Sequence, residues 1–136
     1  MKIAIRYYTR SGNTETLARI IEETVGAKAE SVAVPLHEKV DILFLGCSYY
    51  AFDVDEAVKN FVTQNQDRIG RIVCFGTSAM MRSIRKPMQK VCDAAGVPLS
   101  DEEFHCRGSF GPMHKGHPDE KDLTNAAAFA KKILDS

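Results

Sequence analysis

Short apolar runs alternating with helix-spaced segments constrain this chain more than any other feature. KIAIRYYT (residues 2–9), VDILFLGC (40–47) and RIVCFGT (71–77) have the length and composition of strands buried on both faces. A weaker run at 29–34 ends at Pro35, which cannot continue a central strand and so predicts an edge. A fifth run, placed at residues 104–107, alternates apolar and polar side chains, as a second and half-exposed edge would.

The intervening segments have helical periodicity. Leu17, Ile20, Ile21 and Val25 share one face ahead of Gly26. Val54, Ala57, Val58, Phe61 and Val62 share another, with Asp53 or Asp55 as the cap. Met88, Val91, Cys92 and Ala95 share a third, with Pro87 in the first turn and Gly96 at the end. The last helix carries Asp119, Glu120 and Asp122 at its start and Lys131 and Lys132 near its end, matching the helix dipole. Its inward face is read as Leu123, Ala126, Ala127, Ala130, Ile133 and Leu134. Strands joined through helices give right-handed crossovers and a three-layer α/β sandwich, and 136 residues are enough for one such domain, 1–136.

Charge and cysteine usage narrow the function. Eighteen Lys and Arg against eighteen Asp and Glu leave no net charge, so no global basic field favours nucleic acid. No apolar run reaches the ~18 residues of a membrane span, and residues 1–8 lack the apolar segment and cleavage site of a signal peptide. The expectation is a cytoplasmic protein with no membrane insertion. Cys47, Cys74, Cys92 and Cys106 form no C-x-x-C pair, and three lie in strand-like runs, where a free thiol packs as a small hydrophobe. His114 and His117 stand at i, i+3 in a Gly/Pro-rich stretch with no nearby Cys or carboxylate partner before Asp119, so no metal site is expected.

In an open parallel sheet a ligand sits beyond the carboxyl ends of the strands, where the winding direction reverses. Three loops qualify: residues 9–14, 47–55 and 77–83. The first gathers Thr9, Ser11, Asn13 and Thr14 around Gly12 where a helix begins, so hydroxyls and N–H groups converge on the positive end of a helix dipole. These residue types also make ordinary turns and caps, and composition alone does not separate the two roles. The turn lacks the Lys of a G-x-x-x-x-G-K-[ST] loop and the three glycines of a dinucleotide fingerprint, which disfavours ATP, GTP and NAD. The order T-x-S-G-N-T at the end of a first strand is the more specific signal.

With Thr9, Arg10, Ser11, Gly12, Asn13 and Thr14 in that order, the chain resembles the flavodoxin family, whose FMN-phosphate loop reads T/S-x-T/S-G-N-T. DILFLGCS (41–48) is similar to the family's third strand and PDEKDL to FAKKIL (118–134) to its last helix, so the likeness spans nearly the whole chain. It implies a flavodoxin-like five-stranded parallel sheet in the order 2-1-3-4-5, non-covalently bound FMN, and electron transfer to redox partner proteins by a monomer or dimer. By the same resemblance Ser48, Tyr49, Tyr50, Ala51 and Phe52, and Thr77, Ser78, Ala79, Met80 and Met81, hold the flavin ring. Three aromatics within four residues favour ring contact by at least one of Tyr49, Tyr50 and Phe52.

Two departures from the family stand out. Many members carry a glycine in the second loop whose peptide flips when the flavin is reduced, and residues 48–55 contain none, so a flip meets a steric penalty. In the third loop the usual acidic or aromatic residues give way to methionines and Arg82, with Arg85 and Lys86 behind. Cations near a flavin favour its anionic reduced form, which predicts a less reducing second couple than is usual for the family.

Other readings of the architecture are weaker or remain as rivals. A phosphoacceptor receiver needs an Asp at the end of the third strand, where Cys47 and Ser48 stand, and a small cysteine phosphatase needs an Arg six positions after its Cys, which none of the four has. An NAD(P)H-dependent flavin or quinone reductase, using Arg82 or Arg85 on the nicotinamide cofactor's phosphates, and a flavin-free interaction module remain the alternatives.

Overall fold

The computed structural model describes residues 1–9, 12–50, 53–77, 85–106 and 118–135, and for 48–50 and 53 the backbone alone. Strand β1 (Ile3–Tyr7) leads into α1 (Asn13–Val25), followed by β2 (Ala29–Ser31). Then come β3 (Ile42–Tyr50), the two-residue β4 (Asp53–Val54) and α2 (Glu56–Gln64), with a 3-10 turn at Gln66–Arg68. Strand β5 (Ile72–Thr77), α3 (Arg85–Ala95), β6 (Leu99–Cys106) and α4 (Glu120–Leu134) complete the order. The parallel strands lie β2-β1-β3-β5-β6, which is 2-1-3-4-5 when counted among themselves, and β4 is an antiparallel addition to β3.

Both faces of the sheet are covered. Leu17, Ala18 and Ile21 of α1 and Ala126, Ala130 and Ile133 of α4 pack on Ile5, Phe44, Val73 and Phe75. Val58, Phe61 and Val62 of α2 and Met88 and Cys92 of α3 pack on Leu43, Leu45, Ile72 and Cys74. The central strands therefore need apolar residues at every position, which is why 42–47 and 72–75 show no alternation. Arg6 is the exception within β1. Only 5% exposed, it donates to the carbonyls of Ile5 (3.0 Å), Val34 (2.8 Å) and Pro35 (3.2 Å), tying the chain after β2 to the sheet. Its neighbour Glu30 lies at 3.9 Å.

Several element boundaries differ from the sequence expectation. Strand β3 runs on to Tyr50 and pairs back with Asp53 and Val54, so the segment read as a loop from 47 to 55 is mostly a hairpin, and Val54 belongs to a strand rather than to a helix face. Tyrosines favour the extended backbone. Helix α2 is capped by Asp55, whose carboxylate accepts from the Ala57 N–H at 3.2 Å. Strand β2 stops at Ser31, three residues early, where Val34 N–H turns back to the Ser31 carbonyl.

At the other edge, β6 begins at Leu99 rather than at 104. Asp101, Glu102 and Glu103 are poor strand formers, yet an edge tolerates charge because one side faces water. The register slips here: Ile72 pairs with Leu99 but Cys74 with Glu103, so four-residue spacing on β6 matches two-residue spacing on β5. In α4, Asp119 and Asp122 form a reciprocal capping box, and Phe129, absent from the expected inward face, packs on Phe104 with ring centroids 5.8 Å apart.

All four cysteines are free and buried. Burial, reinforced by Glu103 and Asp55, pushes the Cys47 thiol up to about 12. Burial likewise raises Cys106 to about 12 and Cys92 to about 11, and lifts Cys74 well above its ordinary range. An unfolded chain ionises its thiols near pH ~8.5 while the native chain does not, so this contribution to stability is whole below that pH and is lost as pH rises toward the folded values. Urea unfolding curves should therefore show a decline between about pH 9 and 12 that Cys47→Ala makes shallower. Ellman's reagent at pH 8 should label no native thiol at Cys47, Cys74, Cys92 or Cys106 and all four after denaturation, and rapid native labelling would contradict the burial.

Candidate functional site

The switch point of the sheet lies between β1 and β3, because the chain winds from β1 to β2 in one direction and from β3 through β5 to β6 in the other. There the first loop leaves β1, with the Tyr8 N–H donating to the Gly46 carbonyl of β3 at 3.0 Å. Gly12 sits at the helix N-cap in the left-handed region (φ 88°, ψ −7°). Its N–H donates to Thr9 Oγ1 at 2.9 Å, and its carbonyl accepts the Thr16 N–H (3.1 Å) and hydroxyl (3.0 Å). A glycine cap brings no side chain over the helix start, so the first backbone amides of α1 face outward along the positive end of the dipole. The one acidic residue of that turn, Glu15, pairs with Arg19 at 3.1 Å, which offsets the charge an anion would meet.

Beneath this turn is a packed floor. Thr14 is fully buried and Thr77, the last residue of β5, is 2% exposed, with their hydroxyl oxygens 3.5 Å apart. A Cβ on Gly46 would run into the Phe75 ring and come within 2.9 Å of the Thr14 methyl. Gly46 thus lets α1 seat against β3, and Phe75 and Thr14 occupy the volume it leaves. A glycine interrupting an otherwise unbroken apolar strand marks such a close approach, and that was the readable signal for Gly46 and Phe75, neither of which stood among the expected site residues.

The expected site residues fall into three groups. Thr9, Gly12, Asn13 and Thr14 are brought together at the switch point, with the Thr14 side chain directed into the floor rather than outward. Ser48, Tyr49 and Tyr50 continue β3 past that point, beside Thr77 in register with Ser48. Arg10, Ser11, Ala51, Phe52, Ser78, Ala79, Met80 and Met81 lie outside the described residues, as do Arg82, His114 and His117. Arg85, considered for a nicotinamide cofactor's phosphates, is among the described residues. Its guanidinium contacts Asp101 at 2.8 Å and donates to the Ser100 carbonyl at 3.3 Å, which directs it to the β6 edge. Among the described residues no group of three His, Cys, Asp or Glu is arranged to hold a metal, and no helix is long and apolar enough to cross a membrane.

This strand order, with a glycine-capped helix at the switch point, defines a flavodoxin-like α/β fold. A flavodoxin from the domain Archaea superposes with a TM-score of 0.78 at 17% identity, over 99% of this chain and 97% of that one. A short-chain flavodoxin associated with a PDU bacterial microcompartment superposes with a TM-score of 0.72, also at 17% identity, over 99% and 98% of the two chains. In sequence, the chain is 25% identical to an uncharacterized protein of Methanocaldococcus jannaschii over 98% of its own length and 99% of that protein's. No family model matches.

Proposed function

We propose that the protein binds FMN non-covalently and carries electrons between redox partner proteins in the cytoplasm. The observation that carries this reading is the Thr9–Gly12 turn: a left-handed glycine at the start of α1, its N–H held by a threonine hydroxyl, at the switch point of a flavodoxin-like sheet. The donor set suits a dianion, being hydroxyls and backbone N–H groups, with the first-turn acid Glu15 already paired to Arg19. In this reading Thr9, Gly12, Asn13 and Thr14, with Arg10 and Ser11 between them, hold the phosphate. Ser48, Tyr49, Tyr50, Ala51 and Phe52 on one side, and Ser78, Ala79, Met80 and Met81 following Thr77 on the other, line the ring.

FMN would supply the one- and two-electron chemistry. The chain's part is to hold the phosphate, cover the ring and tune its electrostatics. Carrier function requires no acid or base at the site, and Arg85, one of two cations that a nicotinamide-using reductase would call on, is engaged with Asp101 instead. The test has two arms. Titration of the apoprotein should quench FMN fluorescence with one-to-one stoichiometry, and the reconstituted protein should oxidise NADPH with a quinone no faster than free FMN does. Sustained turnover would make the protein a reductase, and absent quenching would make it a flavin-free interaction module.

A further inference from the structure

Thr77 closes β5 at the point where the third loop departs, a position that by itself suggests contact with the ring. The structure points it elsewhere. Its hydroxyl lies 3.5 Å from that of Thr14, a residue 63 positions earlier and in the first turn of α1, and both side chains are buried. The Thr14 methyl group packs close to Gly46, where it and the Phe75 ring leave no room for a Cβ.

A β-branched side chain has few χ1 choices, so packing its methyl beside Gly46 and its hydroxyl beside Thr77 sets the rotation of the helix turn that carries it. That turn contributes the backbone amides aimed at the switch point. At 3.5 Å the hydroxyl pair is longer than the ~2.7–2.8 Å usual for O–H···O, so its influence comes from where it acts more than from its strength.

We infer that Thr77 is a positioning residue for the phosphate turn: through Thr14 it holds the first turn of α1 in the geometry that distinguishes FMN from riboflavin. The inference rests on the FMN reading above. Its consequence is a selective effect, because riboflavin shares the ring of FMN and lacks the phosphate. A residue at the ring would alter both affinities, and a residue needed only for folding would alter both alike.

The experiment measures dissociation constants of the apoprotein for FMN and riboflavin in the wild type, Thr77→Val and Thr77→Ser. Both ligands report on the same folded population, so their ratio is insensitive to partial unfolding. Thr77→Val should weaken FMN about fivefold to tenfold and leave riboflavin within about twofold, and Thr77→Ser, which keeps the hydroxyl, should restore the wild-type ratio. Equal weakening of both ligands, or an unchanged ratio in Thr77→Val, would overturn the inference. Should the wild type bind the two flavins equally, or neither, the phosphate-turn reading itself falls and takes the inference with it, a failure recognisable without any variant.

Discussion

Gly46→Val is expected to destabilise the protein by about 3 kcal/mol or more and to weaken FMN binding at least about tenfold in whatever fraction remains folded. The site for a side chain at this position is already taken by the Phe75 ring and, at 2.9 Å, by the Thr14 methyl. Neither neighbour can yield easily: Phe75 and Thr14 are fully buried, and β3 and β5 are fixed in register on either side through Gly46 and Phe75. Overpacking of this kind typically costs about 1–3 kcal/mol for modest insertions, and a branched side chain meets two obstructions here. For a domain of this size that is a fall in Tm of roughly 10 °C, readable by thermal denaturation. Gly46→Ala should show a smaller loss. Phe75→Leu should recover part of the Gly46→Ala deficit by vacating volume, so that the double variant is more stable than the sum of the two single losses. Additive losses would show that the two positions do not share one space.

Gly12→Val should leave the fold largely intact and reduce FMN affinity by more than about tenfold. The physics differs from that at Gly46. Nothing lies within 4 Å of where a Cβ would stand on Gly12, so space is not the obstacle. The obstacle is the backbone, which at φ 88° is in a region that a β-branched residue occupies only with strain of about 1–3 kcal/mol. The chain can relieve that strain by rotating Gly12 out of the left-handed region, which breaks the 2.9 Å bond from its N–H to Thr9 and re-aims the amides that follow. Gly12→Asn is the control, since asparagine tolerates left-handed geometry, and it should keep most of the affinity. Similar losses for Val and Asn, measured by flavin fluorescence quenching, would mean that backbone conformation at this position is not what the ligand reads.

The two glycines also show how much was legible in the sequence. Gly12 stood within a polar turn of distinctive order, T-x-S-G-N-T, and its place at a helix start could be read there. Gly46 was hidden inside the most apolar run of the chain, because its meaning depends on Phe75 and Thr14, which meet it only after β3, β5 and α1 have assembled. The central strands were readable for the opposite reason: burial on both faces demands continuous apolar runs, and such runs are visible one residue at a time, whereas the sheet order came only with the resemblance to flavodoxins.

The edges were harder to read. Strand β6 begins with Leu99 and carries three acids in succession, and only its pairing with β5 makes it a strand. The extension of β3 through Tyr50 was missed although the tyrosines themselves favour extended backbone, because it shows only in the pairing with Asp53 and Val54. The placement of Arg85 was likewise a tertiary matter. Its partner Asp101 lies 16 residues on and across the sheet edge, at no spacing that a helix or strand period would flag.

The central claim, that the turn at residues 9–14 holds the phosphate of FMN, is tested most directly by titrating the isotope-labelled apoprotein with FMN and then with riboflavin while following backbone amide shifts. FMN should move the Gly12, Asn13 and Thr14 amides strongly, and riboflavin should leave them nearly still while perturbing the ends of β3 and β5. If FMN binds without disturbing those three amides, or riboflavin disturbs them equally, the phosphate lies elsewhere.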